Sequence, residues 1–208
     1  MEIKIISLDL TDLDEAVKLH MEAFEGFFLT LMGSSFLKEL YLFIKEDPNG
    51  IGLVAKDIKN KKMVAVLIGT LSPSEFYKNF IKKKWKKLLI ISTKAILKRP
   101  KIIMRLARGA LYRGDQPRDS NYALLSSIAV SPHYHNQGVG KKILFTWLNT
   151  VQLKGIEGCY LTTDYNDNDV ANKFYTSLGW KLDETYFTKE GRKMNRYRYD
   201  IIKSPLKD

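Results

Sequence analysis

The stretch HNQGVGKK, residues 135–142, lies between a segment with the pattern of a β-strand, YALLSSIAV (122–130), and one with the pattern of a helix, KILFTWLNTV (142–151). The second segment places its apolar residues on one helical face: Ile143, Leu144, Trp147, Leu148 and Val151. A helix that begins after a glycine turn presents unpaired backbone N–H groups and the positive end of its dipole, so it can hold a phosphate group. The stretch predicts an anion-binding turn, with a tight packing turn as the alternative.

Two other phosphate-binding loops do not fit this stretch. A Walker loop requires glycine at the position of His135 and serine or threonine at the position of Lys142. A dinucleotide-binding fingerprint requires a third glycine at the position of Ile143. Residue type alone therefore excludes both loops.

The segments on either side predict a mixed α/β fold around one sheet. The expected order is β-α-α-β-β, an insert, and then β-α-β-α-β-β. Thr11 is expected to cap the first helix, and the second helix is expected to begin at Ser35. Residues 51–57 and 63–71 predict a β-hairpin.

The composition is that of a globular protein, since 45% of the 208 residues are hydrophobic and 27% are charged. We expect one domain, residues 1–208. A single cysteine, Cys159, excludes an intramolecular disulfide, and the three histidines show no metal-ligand spacing. The N-terminus is acidic too early for a signal peptide, and no apolar run approaches the roughly 18 residues of a membrane span. A cytoplasmic protein is expected.

The net charge of +11 is concentrated in one segment of the chain. Residues 78–118 contain fourteen Lys and Arg against one acidic residue, which leaves 20 basic and 22 acidic residues elsewhere. This segment belongs to an insert, residues 74–118, in which two basic amphipathic helices are predicted. The first should place Ile81, Trp85 and Leu88 on one face, and the second should begin near Pro100.

Two segments resemble a known family. AVSPHYHNQGVGKKIL (129–144) is similar to the acetyl-CoA-binding turn, Gln/Arg-x-x-Gly-x-Gly/Ala, of the GNAT superfamily of N-acetyltransferases. NDVANKFYTSLGW (168–180) resembles the second signature of that family, which the chain matches at Asn168, Ala171, Phe174, Tyr175, Gly179 and Trp180. His135 departs from the pattern, because the family carries Gln or Arg there. We expect weaker side-chain support for the donor but intact binding through the backbone.

The resemblance implies the acyl-CoA N-acyltransferase fold, a mixed and mostly antiparallel sheet flanked by helices, here with an inserted basic helical hairpin. It also implies acetyl-CoA as the donor, with its pantetheine arm along the strand before the turn and its pyrophosphate in the turn. The expected donor-binding residues are Ile128, Ala129, Val130, His135, Asn136, Gln137, Gly138, Val139, Gly140, Lys141 and Asn168. By residue type, Asn168 could instead cap the helix that it precedes.

The resemblance further implies that an amine attacks the thioester directly, without an acyl-enzyme intermediate. Tyr175 matches the position that donates a proton to the coenzyme A sulfur in many members, and a backbone N–H near Val130 would stabilise the oxyanion. Cys159 is expected to be a core residue. Because Ser126 and Ser127 stand where the family often has a glutamate, the general base is open among a water chain, Glu22, Glu25 and Asp164.

The expected acceptor is a primary amine of a small molecule or amino sugar. Its pocket is predicted between FEGFFLTLMG (24–33) and the loop near residues 186–192, in a monomer or a homodimer. Three interpretations of the insert stay open: a solvated face, attraction to an anionic membrane or an anionic acceptor, and binding of nucleic acid, which lacks a recognition signature. The alternative to an enzyme is an acetyl-CoA sensor or an associating module without turnover.

Overall fold

The computed structural model describes residues 2–98, 121–188 and 191–201. The strands are β1 (Ile3–Ser7), β2 (Gly50–Asp57), β3 (Lys62–Thr70), β4 (Tyr122–Val130), β5 (Gly158–Asp164), β6 (Lys181–Phe187) and β7 (Lys193–Asp200). The α-helices are α1 (Leu13–Ala23), α2 (Phe28–Leu31), α3 (Ser34–Glu46), α4 (Pro73–Lys98), α5 (Val139–Leu153) and α6 (Asp169–Ser177). Two short 3-10 helices, Leu10–Asp12 and Pro132–Tyr134, precede α1 and α5.

The seven strands form one sheet in the order β1-β2-β3-β4-β5-β7-β6. Every neighbouring pair is antiparallel except β4 and β5, which are parallel. Parallel neighbours require a crossover connection, and α5 provides it. The expected mixed, mostly antiparallel sheet with flanking helices is confirmed.

Helices cover both faces of this sheet, and each face has its own core. α1, α3 and α4 pack on one face, where Phe36 and Leu40 are buried, whereas α5 and α6 pack on the other around Trp147. β3 lies between the two cores and is buried from Met63 through Thr70. A strand that is covered on both faces has a continuous apolar sequence, as MVAVLIG shows.

The start of the first helix differs from the prediction. Asp9, not Thr11, is the capping residue: its carboxylate accepts the Thr11 N–H, and the Asp12 carboxylate accepts the Asp9 N–H in return. A one-turn 3-10 helix therefore precedes α1, which begins at Leu13. The second long helix begins at Ser34, one residue before the predicted Ser35.

The first helix of the insert, α4, packs against α3 through aromatic side chains. Phe76 and Phe80 each lie 5.2 Å from Phe43, measured between ring centroids. Leu88 is buried with them, whereas Trp85, which the sequence places on the same helical face as Leu88, is 51% exposed. The phenylalanine contacts with α3 determine which side of α4 faces inward, and Trp85 lies away from that side. The predicted second helix, near Pro100, lies outside the described residues.

Over the described residues, none of the helices is long and apolar enough to cross a membrane. In the same part of the chain, no group of three or more His, Cys, Asp and Glu side chains is placed to hold a metal ion.

Candidate active site

A cleft opens where β4 and β5 stop pairing. The two strands pair at three positions only, between Tyr122–Leu124 and Gly158–Tyr160. Beyond these positions, residues 125–130 and 161–164 line opposite sides of a cleft of about 1030 Å³. The turn before α5, one side of α6 and the end of α1 complete its walls. A sheet edge inside a domain is thus left accessible to a ligand.

A β-bulge lies at the start of this split. The adjacent β3 residues Ile68 and Gly69 pair with Ser127 and Leu125, so Ser126 is an extra residue on β4. A bulge bends its strand and increases the local twist, which accounts for β4 turning away from β5. Glycine is required opposite the bulge, because a Cβ on Gly69 would lie 2.6 Å from a carbonyl oxygen of β4.

The backbone of Ile128 and Val130 faces the cleft. Ser131 donates its N–H to the Val64 carbonyl on β3, with N and O 2.8 Å apart. Because successive peptide groups of a strand point to opposite edges, the N–H and C=O groups of Val130 and Ile128 point away from β3. His135 confirms the direction, since its Nε2 lies 3.0 Å from the Val130 carbonyl oxygen. The sequence predicts these main-chain groups to pair with a pantetheine arm.

The turn before α5 leaves backbone donors at the same cleft. Gly138 is the N-cap residue and has φ +77°, a left-handed conformation that favours glycine. The first helical hydrogen bond runs from the Lys142 N–H to the Gly138 carbonyl. The N–H groups of Val139, Gly140 and Lys141 therefore have no acceptor within the helix. They lie at the positive end of the α5 dipole, where an anion is favoured.

Eleven of the twelve predicted site residues line this one cleft: Ile128, Ala129, Val130, His135, Asn136, Gly138, Val139, Gly140, Lys141, Asn168 and Tyr175. Gln137 is the exception, and its side-chain amide donates to the His133 carbonyl at 2.8 Å. Gln137 thus holds the turn in shape. The structure brings the predicted residues together, and their roles stay predictions.

Asn168 occupies the N-cap position of α6, but its side chain makes no capping hydrogen bond, so the capping interpretation was wrong. Its Nδ2 instead donates to Thr163 Oγ1 at 2.6 Å and to the Asp164 carbonyl at 3.2 Å. Asn172, one turn later, also donates to the Asp164 carbonyl. The two amides fasten the start of α6 to the open end of β5.

Tyr175 has a packed ring and lines the cleft. The residue is 8% exposed, with ring centroids 5.8 Å from Trp180 and 6.1 Å from Tyr197. Burial raises the pKa of its hydroxyl above the ordinary tyrosine value, so the hydroxyl is protonated at neutral pH. A protonated hydroxyl in a cleft can donate a proton, as the resemblance implies.

At the other end of the cleft, Asp164 is bound to Arg192. Arg192 Nη2 lies 2.7 and 2.6 Å from the two carboxylate oxygens, and Nε lies 3.2 Å from one of them. The same guanidinium lies 6.0 Å from the ring centroid of Phe27. Phe24, Phe27 and Leu29 also line the cleft, so the predicted acceptor segments meet here. Because its carboxylate is engaged, Asp164 is a poor candidate for the general base.

Of the other two predicted bases, Glu22 lines the cleft and Glu25 is absent from its walls. Sequence reasoning missed a third titratable group there, His20, whose Nδ1 lies 3.0 Å from the Tyr41 hydroxyl. Burial lowers the pKa of His20 to about 4, which keeps the imidazole neutral at physiological pH. The signal in the sequence is a histidine on the apolar face of α1, four residues after Ala16 and three after Val17.

A model of the acetyltransferase (GNAT) family matches residues 13–180 of this chain. Among solved structures, the ribosomal-protein-S18-alanine N-acetyltransferase from Escherichia coli superposes with a TM-score of 0.60 at 17% identity, covering 100% of both chains. The PaiA N-acetyltransferase from Thermoplasma acidophilum, in complex with coenzyme A, has a TM-score of 0.60 at 14% identity, covering 96% of this chain and 100% of that chain.

Mutant forms of the spermidine/spermine N-acetyltransferase SpeG from Vibrio cholerae have a TM-score of 0.57 at 12% identity, covering 97% of this chain and 96% of that chain. At these identities the solved structures establish the fold alone. A comparison with curated proteins finds no match. The family model covers most of the chain and both signature segments, and the chain therefore belongs to the GNAT acetyltransferase family.

Proposed function

We propose that this protein transfers an acetyl group from acetyl-CoA to a primary amine of a small molecule or amino sugar, by direct attack in a ternary complex. The observation that carries the proposal is the split between β4 and β5, which turns main-chain groups of β4 toward a cleft closed by the start of α5. That arrangement offers an extended, amide-bearing arm a strand to pair with and a diphosphate a helix terminus to bind.

The residues present fit coenzyme A as the carrier of the acyl group. Ile128 and Val130 offer main-chain groups at the open edge, and Val139, Gly140 and Lys141, whose N–H groups have no acceptor within the helix, line the cleft. The start of α5 lies close to its neighbours here, since a Cβ on Gly140 would be in van der Waals contact with Phe174 at 3.4 Å and Val130 at 3.5 Å. The bound donor would supply an activated acyl group as a thioester.

Residues of this chain would then stabilise charge and move protons. A main-chain N–H on the open edge of β4, near Val130, can donate to a developing oxyanion. Tyr175 can donate a proton to the departing thiolate. Cys159 is fully buried in the paired part of β5, and burial raises its thiol pKa well above the ordinary value. A buried thiol of that kind is inert, which supports direct attack rather than an acyl-enzyme.

Glu22 is the best of the predicted carboxylates for accepting the proton of the amine. It lines the cleft, and its ion pair with Lys18 is long, at 4.0 Å, with both side chains exposed. Surface pairs of this kind bind weakly, so the carboxylate can exchange partners or act through water. Asp164 is held by Arg192 and serves better to shape the acceptor end of the cleft.

A small acceptor is supported by the shape and chemistry of that end. Phe24, Phe27 and Leu29 provide apolar surface, and the Asp164–Arg192 pair provides fixed charges beside it. Aromatic side chains with a few placed polar groups are typical of small-molecule sites. The solved relatives include enzymes named for a ribosomal protein and for polyamines, so the acceptor screen must include peptides and polyamines beside amino sugars.

The test is an acceptor screen that measures free thiol released from acetyl-CoA, with calorimetry on acetyl-CoA and coenzyme A. The proposal predicts binding of both and turnover with at least one small amine. Binding without turnover over a broad panel would favour the acetyl-CoA sensor, which the serines at the family's glutamate position also suit. Turnover confined to peptide amines would overturn the small-molecule acceptor.

A further inference from the structure

The lysines on the two sides of α4 differ in whether they form ion pairs. On the side toward α3, Lys84 lies 3.4 Å from Glu46, and Lys87 pairs with Glu39. On the outer side, Lys78, Lys82 and Lys86 form no ion pair with any of the described residues. In the described part of α4, these three lysines therefore leave an uncompensated positive charge on the outer side of the helix.

Large apolar side chains lie among these outer lysines. Trp85 is 51% exposed, Leu89 is 57% exposed and Ile90 is 75% exposed. Lys86 Nζ lies 5.7 Å from the centre of the Trp85 ring. We refer to Lys78, Lys82, Trp85, Lys86, Leu89 and Ile90 as the outer face of α4. Exposed tryptophan and aliphatic side chains between lysines are typical of helices that lie in a membrane interface.

The outer face of α4 is not part of the cleft in which an acceptor would bind. Within the described part of the chain, no residue of α4 lines the cleft. The nearest link is from the opposite side of the helix, where the Tyr77 hydroxyl lies 3.2 Å from Ser126 Oγ at the β4 bulge. Attraction of an anionic small acceptor into the cleft is therefore a poor account of these lysines, and an extended anionic surface is a better one.

We propose that the outer face of α4 docks the protein on an anionic lipid bilayer. The lysines would contact acidic headgroups, while Trp85 and Ile90 would enter the region between headgroups and acyl chains. The inner side of the helix stays fixed to α3 by Phe76 and Phe80, so docking requires no unfolding. This inference concerns a surface outside the cleft and does not depend on the acetyl acceptor.

The three tryptophans of the chain provide a direct reporter. Trp147 and Trp180 are 0% and 2% exposed, so Trp85 is the tryptophan that changes environment when the outer face binds. Titration of the full chain with vesicles of phosphatidylcholine and phosphatidylglycerol should shift the emission to shorter wavelength, and vesicles with brominated acyl chains should quench it. Vesicles of phosphatidylcholine alone should do neither. Trp85→Phe should remove both signals while the protein still pellets with the anionic vesicles.

A matched pair of charge variants tests the role of the outer face. Each lysine near an anionic surface contributes about fivefold to binding, so Lys82→Gln with Lys86→Gln should weaken it by roughly 30-fold. Lys4→Gln with Lys181→Gln removes the same charge from exposed positions on the two outer strands and should change binding little. Coenzyme A affinity should be equal in both variants, which shows that they fold. Equal loss of vesicle binding in the two variants, no emission shift with anionic vesicles, or binding of nucleic acid but not vesicles would overturn the proposal.

Discussion

The two edges of β4 differ along a single strand. Toward β3, β4 pairs from Leu124 to Val130 apart from the bulge at Ser126, whereas toward β5 it pairs only up to Leu124. Residues 125–130 form one continuous stretch of backbone, but their main-chain N–H and C=O groups face two different edges of β4. Those toward β3 hold the sheet together, and those toward the cleft are available to a ligand. The comparison teaches that a binding site can be made by stopping a strand pair, without any special side chain.

The largest effect should come from removing a single N–H at each edge in turn. Val130→Pro deletes an N–H that faces the cleft, and we expect kcat to fall about 10²–10³-fold because an oxyanion donor is lost. Ala129→Pro deletes a neighbouring N–H that faces β3, where the buried partner would be left unsatisfied at a cost of roughly 1–3 kcal/mol. Thermal unfolding and steady-state kinetics on both variants measure the contrast.

The two proline variants should thus separate stability from catalysis. Val130→Pro should keep most of its thermal stability, because proline is tolerated at a strand edge. If Ala129→Pro proved as stable as wild type, or Val130→Pro kept full activity, the two edges would not differ in the way described.

Gly138 and Gly155 flank α5, and alanine substitutions at these two positions form a matched pair. Their φ angles are +77° and +72°, and a Cβ on either would meet nothing within 4 Å. Alanine at either position should destabilise the fold by roughly 1–2 kcal/mol. Gly138→Ala should also weaken coenzyme A binding by about tenfold, because it disturbs the N–H groups at the start of α5. Calorimetry that gave equal affinities for the two variants would argue against a phosphate site there.

Tyr175→Phe tests the one side chain to which a chemical step is assigned. Removal of the hydroxyl should lower kcat severalfold or more, with coenzyme A affinity nearly unchanged, because the main chain holds the donor. Tyr199→Phe is the control, since Tyr199 is a buried tyrosine on β7 outside the cleft. Kinetics in which Tyr175→Phe matched Tyr199→Phe would remove Tyr175 from the mechanism.

The smallest effect is expected at His135, which contacts the open edge through its ring. Its Nε2 lies 3.0 Å from the Val130 carbonyl, and the residue is exposed. His135→Arg restores the residue type of the family pattern and should change coenzyme A affinity by less than about threefold. A much larger change, in either direction, would mean that this side chain rather than the backbone controls donor binding.

Local patterns were sufficient for the turn and the sheet. The glycines at 138 and 140, the strand before them and the apolar stripe of α5 are all read within one stretch of chain, and the structure places them together. Two apolar runs joined by the polar turn IKNKK (58–62) also predicted the β2–β3 hairpin. Such features depend on the period of a single segment, which one sequence contains in full.

Features set by a partner segment were not predictable from their own sequence. Trp85 fits a helical apolar face, but the contacts of Phe76 and Phe80 with α3 decide which face is buried. By residue type Asp164 is a candidate base, but Arg192, from a loop distant in the sequence, binds its carboxylate. The bulge at Ser126 could be predicted only from the alignment of β3 with β4. In each case the deciding information lies in tertiary contacts.

The central claim is that main-chain groups on the open edge of β4 and at the start of α5 hold a diphosphate-bearing thioester donor. Titration calorimetry of coenzyme A into the full-length chain tests it most directly. The account predicts saturable heat with one molecule bound per chain, reduced in Gly138→Ala and unchanged in Gly155→Ala. Absence of heat with coenzyme A at millimolar concentration would contradict the claim.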